Sequence, residues 1–141
     1  MIAPPKGSSA DGLLCVSTLS VTSQSSSKAI APGVNELDVL AAGQQAAMRE
    51  AGEPISHGGD YRCAALGGPA RDRKVEAGEL YIIDAQSVYR GYNSDLCRTF
   101  AVGEPTPLQQ SVYDHIAGIL RDVPNLVRPG NSATALWKAL D

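Results

Sequence analysis

The stretch LYIIDAQSVYRGYNSDLCRTF, from Leu80 to Phe100, constrains the fold of this chain more than any other. Successive side chains on a β-strand turn to opposite faces, so Leu80, Ile82 and Asp84 share one side and Tyr81 and Ile83 the other. Past a turn at Arg90-Gly91, the run from Asp95 to Val102 reads as a returning strand. Closure of that hairpin brings Asp95 back opposite Asp84. Two carboxylates facing each other in an apolar setting repel and lose hydration, which raises at least one pKa. A divalent cation between them favours both charged forms and suits their hard oxygen donors. The competing partners for either acid are Arg90 and Arg98.

The pattern Ile83-Asp84-Ala85, Gly91-Tyr92, Ser94-Asp95, Arg98-Thr99-Phe100 and Val102-Gly103 resembles the pita-bread metallopeptidase family, which includes aminopeptidase P, prolidase, methionine aminopeptidase and creatinase. The form is nearest the aminopeptidase P and prolidase branch, and the likeness runs from Gly78 to Gly103. It implies an α+β, pita-bread fold, here incomplete: an antiparallel β-hairpin sheet with covering helices. It also implies that Asp84 and Asp95, with ten residues between them, correspond to two of the five protein ligands of a two-metal centre that uses Mn, Co or Zn. The family's activity on this branch is hydrolysis of X-Pro peptides. Two departures bear on this chain. The family's catalytic histidine lies 17 or 18 positions before the first aspartate, where this chain has Gly67 and Leu66. The remaining ligands, a His and two Glu, come from a later half of the fold that these 141 residues do not reach. The expectation is therefore no catalytic residue in the chain, weak or absent metal binding, and an inactive truncated peptidase. The alternatives are a non-catalytic pita-bread module that binds proteins or peptides, and a gene fragment without independent function.

The histidines do not restore the missing group. His57, beside Gly58-Gly59, reads as a solvated turn residue, and His115 as a helix-flank residue with no ligand partner one turn away.

Elsewhere the pattern is helical. Asn35 caps a helix that starts at Glu36, carries an apolar set of Leu37, Leu40, Ala41, Ala47, Met48 and Ala51, and stops at Gly52 and Pro54. Thr106-Pro-Leu-Gln109 opens a second helix as a capping box, with Leu108, Val112, Ile116, Ile119 and Leu120 on its apolar face and Pro124 breaking it. Ile30 to Val39 is echoed 97 positions later by Val127 to Leu136, each a Pro-Gly turn feeding a helix that, for the second copy, carries Trp137 and Leu140. Residues 1–27 are expected to be a partly disordered or irregular lead-in, with the run from Leu13 to Val21 open between an edge strand and a distorted helix, and 28–141 the truncated domain.

Charge excludes some partners. Twelve basic and fifteen acidic residues are spread evenly for a net charge of -3, which offers nucleic acid no basic stripe. No run reaches the ~18 apolar residues of a membrane span, and the N-terminal stretch lacks the features of an export signal. Cys15, Cys63 and Cys97 have no zinc-site spacing and suit reduced thiols in the cytoplasm, with Cys97 read as a packing residue. The expected partners are a peptide substrate in the family and, at an uncovered sheet face, a second copy or another polypeptide.

Overall fold

The structure is a computed structural model that describes residues 9–140. Two compact units divide the chain between Glu104 and Pro105. The first consists of α1 (Ser9–Ala29), α2 (Glu36–Ala51), β1 (Ser56–Cys63), β2 (Leu80–Tyr89) and β3 (Tyr92–Ala101), and the second of α3 (Pro107–Leu126) and α4 (Ala133–Leu140).

The three strands form an antiparallel sheet in the order β1-β2-β3. Arg90 (φ 48°) and Gly91 (φ 87°) make a two-residue reversal with both residues in the left-handed region, the turn whose twist matches a hairpin. That turn sets the register Leu80↔Ala101 through Tyr89↔Tyr92. On one face of β2, Tyr81, Ile83, Ala85, Ser87 and Tyr89 are buried under the helices, and Tyr61, Cys63, Val39, Leu19, Val75 and Val102 complete that core. Each such large apolar side chain contributes about 1.5–3 kcal/mol through burial. The other face of the sheet is open.

β1 was not anticipated, because its sequence SHGGDYRC holds two glycines, which weaken a strand. Gly59 has a structural reason: φ is 118° and a Cβ there would fall 2.0 Å from the Asp84 carbonyl oxygen, so only glycine lets β1 approach β2. His57, Tyr61 and Cys63 turn to the covered face.

Residues 9–27, expected as a partly disordered or irregular lead-in with Leu13 to Val21 open between an edge strand and a distorted helix, belong to a 21-residue helix, while residues 1–8 of that lead-in lie outside the described residues. The buried stripe of α1 is Cys15, Thr18, Leu19, Thr22 and Ser26, a helical spacing made mostly of small polar residues, with Leu13 and Val16 exposed. Of the buried hydroxyls in the stripe, Thr18 Oγ1 is accommodated locally, donating to the Leu14 carbonyl at 2.7 Å, whereas Thr22 Oγ1 and Ser26 Oγ are enclosed without a hydrogen-bond partner among the described residues. Small side chains also admit α2 closely, since a Cβ on Gly43 would lie 2.6 Å from Ser26 Oγ.

Helix α2 starts and stops as expected, with Asn35 Oδ1 accepting from the Leu37 N–H and Gly52 (φ 71°) closing the end. Its buried face differs. Glu36, Val39, Gly43 and Ala47 are buried, whereas Leu37 and Met48 are exposed. Glu36 is fully buried and accepts from the Cys63 N–H (3.0 Å), the Arg71 N–H (2.9 Å) and the Arg71 guanidinium (2.6 Å), tying α2 to β1 and to the 64–79 loop. Burial alone raises its pKa, but Arg71 and the two backbone donors outweigh burial and hold the carboxyl below its ordinary value.

In the second unit the capping box of Thr106 and Gln109 is present, but α3 continues through Pro124 to Leu126. A proline here removes one amide donor near the end of the helix, where few turns remain to be disrupted. None of its residues is buried: Leu108, Val112, Ile116 and Leu120 are exposed, as is His115. The two Pro-Gly turns, with Gly33 at φ 88° and Gly130 at φ 91°, lead to helices beginning at Glu36 and Ala133, the same 97 positions apart. Trp137 of α4 is exposed.

Candidate metal centre

The open face of the sheet carries the acids. Register places Asp60 of β1 directly across from Asp84 of β2, and Cys97 of β3 on its other side. Asp95 lies across from Gln86, so it is diagonal to Asp84 by one rung and not directly opposite as the sequence suggested. Counting outward from the Arg90-Gly91 turn explains the offset, because the residue that faces Asp84 is then Cys97. Diagonal neighbours on one face remain within side-chain reach.

The electrostatics of Asp84 follow from that register. The pKa of Asp84 is raised by burial first, then by Asp95, and then by Asp60. Its Oδ1 is shut off from water and has no hydrogen-bond partner. Such an orphaned oxygen is costly unless something not yet in place satisfies it. Neither arginine does: Arg90 pairs with Asp11 and Glu53, and Arg98 Nη1 donates to the Cys97 carbonyl. A carboxylate oxygen without a donor, beside a second carboxylate, fits a hard divalent cation. The donor set is small, since among the described residues no three His, Cys, Asp or Glu side chains converge to hold an ion.

The other sequence candidates fall elsewhere. His57 is buried on the covered face, not solvated in a turn, with Nδ1 2.8 Å from Ser87 Oγ and Nε2 2.9 Å from the Tyr61 hydroxyl. Burial pulls its pKa down to about 4. Leu66 is fully exposed, and Gly67 sits at φ 117°, a backbone conformation that strains any residue with a Cβ, histidine included, with Asp60 Oδ2 2.4 Å from where that Cβ would fall. Cys97 is an exposed free thiol beside the acids, where packing was expected. Strand alternation from Asp95 would have found it. Asp60 was missed with β1, and the alternation of His57, Tyr61 and Cys63 was the one signal for that strand.

Comparisons with known proteins bear on the family and the fold of the chain. Residues 18–141 match the description of Metallopeptidase family M24. The chain is 36% identical over 76 residues to an Xaa-Pro dipeptidase of Pyrococcus horikoshii, covering 54% of this chain and 22% of that protein. Among solved structures it resembles a prolidase from Pyrococcus furiosus (TM-score 0.70, 24% identity, 84% of this chain and 36% of that one). It also resembles the dipeptidase PepE from Mycobacterium ulcerans (TM-score 0.74, 22% identity, 94% and 37%). The chain thus spans 22% of the length of the curated relative and little more than a third of the solved ones.

Proposed function

This chain belongs to metallopeptidase family M24 and has its α+β pita-bread fold, and on that footing we propose that Asp84 and Asp95 hold a divalent cation as part of a centre for X-Pro peptide hydrolysis. The buried, unpartnered Oδ1 of Asp84 beside Asp95 carries this reading. Asp84 and Asp95 would hold Mn, Co or Zn there, and the ion would supply Lewis-acid chemistry toward a peptide carbonyl. The chain's own part is to bring two carboxylates to one rung-and-diagonal on a rigid hairpin and to back them with a packed core. Asp60 adds a third negative charge to the face. With two anchoring carboxylates, the ion binds weakly and these residues alone do not turn over peptide. Exposed Leu66 and glycine at 67 support that second part, because neither side chain transfers a proton.

A non-catalytic role is the second reading, favoured by the same loop: a sheet face with Ile82 and Leu80 partly uncovered would bind a peptide or a polypeptide without cleaving it. The reduced thiols Cys15, Cys63 and Cys97 support a cytoplasmic setting, and no described helix is long and apolar enough to cross a membrane.

Calorimetric titration of the chain with Mn tests the proposal. Wild type binds weakly, and Asp84→Asn lowers the affinity at least about tenfold. Equal affinity in the two proteins overturns the metal assignment. Turnover of an X-Pro dipeptide by the chain alone, abolished in Asp84→Asn, overturns the inactivity.

A further inference from the structure

We propose that Gln86 is a positioning residue for the aspartate pair, an inference that rests on the reading that Asp84 and Asp95 hold a divalent cation. The register puts Gln86 directly across from Asp95 and two residues along β2 from Asp84, with all three side chains on the open face. The two acids differ in what holds them. Asp84 is half-buried, with one oxygen enclosed. Asp95 is exposed, so packing does not select its rotamer.

Among the described residues, the side-chain donor that reaches Asp95 is Gln86 Nε2, 3.5 Å from Oδ2. A donor on one carboxylate oxygen restricts rotation of the group and leaves the other oxygen for the cation. Outer-shell partners act this way on ligating carboxylates generally. Glutamine suits the place for a reason of charge. The face already carries Asp60, Asp84 and Asp95, so a glutamate at 86 would add to the repulsion, and a lysine would neutralise Asp95 and compete with the incoming ion. A carboxamide orients without doing either. Beyond Gln86 the face continues as a groove of about 300 Å3 lined by Gln86, Val88, Asn93 and Asp95 together with Ser87 and Ser94. The amide therefore has open space beside it and no packing partner that fixes it for another purpose. At 3.5 Å the contact is at the outer limit of hydrogen bonding, which places the effect at the lower end of the range for such partners, about tenfold.

The test is Mn affinity, measured by calorimetry and by the Mn-induced rise in unfolding midpoint, for the full chain and for Gln86→Met and Gln86→Lys. Methionine keeps the length and removes the donor, and the expected result is an affinity lowered about five- to tenfold with the metal-free midpoint unchanged. Lysine restores a donor but brings a charge, so at low salt it binds Mn more weakly than Gln86→Met and recovers toward it as salt is added. A purely structural role for Gln86 would shift the metal-free midpoint, treat both variants alike and be insensitive to salt. Wild-type affinity in Gln86→Met, with Asp84→Asn still impaired, overturns the role of Gln86 alone. Failure of wild type itself to bind Mn overturns both this inference and the reading beneath it.

Discussion

Acidification from pH 7 to pH 4 should weaken the sheet-and-helix unit through His57. The ring is buried between Ser87 Oγ at 2.8 Å and the Tyr61 hydroxyl at 2.9 Å, with no carboxylate among those partners to stabilise an imidazolium. Its pKa falls from 6.5 to about 4 because burial disfavours the charged form. At pH 7 both folded and unfolded chains hold a neutral ring, and the contribution to stability is fully present. Below 6.5 the unfolded chain takes up a proton that the folded chain refuses, so stability is lost at up to about 1.4 kcal/mol per pH unit until the folded ring also titrates near 4. The gap corresponds to about 3 kcal/mol, a large share of the roughly 5–15 kcal/mol that holds a typical domain together. Urea unfolding followed by circular dichroism at several pH values measures it, with His57→Gln as the reference that keeps polar contacts and cannot titrate. Carboxylates affect both proteins alike, so the difference of differences isolates the ring. A loss on acidification that is the same in wild type and His57→Gln would refute the reasoning.

Two further perturbations follow from the packing. Glu36→Ala leaves the Cys63 and Arg71 N–H groups without their acceptor, while the partly exposed Arg71 guanidinium keeps the Cys63 carbonyl at 2.7 Å, and should cost about 2–4 kcal/mol in chemical denaturation, with Glu36→Gln milder. Gly59→Ala forces a Cβ to within 2.0 Å of the Asp84 carbonyl oxygen at a φ of 118°, and should cost at least about 2 kcal/mol and weaken Mn binding as well. Gly58→Ala is the control, since a Cβ there meets nothing within 4 Å. Equal denaturation midpoints for the two glycine variants would refute the close-approach argument.

Legibility in the amino-acid sequence followed how local each signal was. The hairpin announced itself through period-two alternation and Arg90-Gly91, and the caps at Asn35 and Thr106 through residue types that hydrogen-bond within a few positions. What escaped depended on contacts from afar. Helix α1 buries hydroxyls and Cys15 in place of an apolar stripe, so hydropathy does not reveal it; its use of small residues makes sense only with Gly43 of α2 opposite Thr22 and Ser26. The buried face of α2 was misjudged for the same reason, because a glutamate at its head is buried by Arg71, thirty-five positions away in the chain. Of the candidate site, Asp84 and Asp95 drew notice through their place on the hairpin and the resemblance their surroundings carry, whereas Asp60 and Gln86 depend on the register of three strands.

The reversal at Arg90-Gly91 makes the interval between the two acids a gauge of loop length. Asp84 stands six positions before Arg90 and Asp95 four beyond Gly91. A homologous hairpin whose tip held two more residues would keep the same diagonal pair on the same rungs while stretching the interval by two. Searches that count residues from acid to acid would overlook it; searches that count rungs outward from the bend would find it.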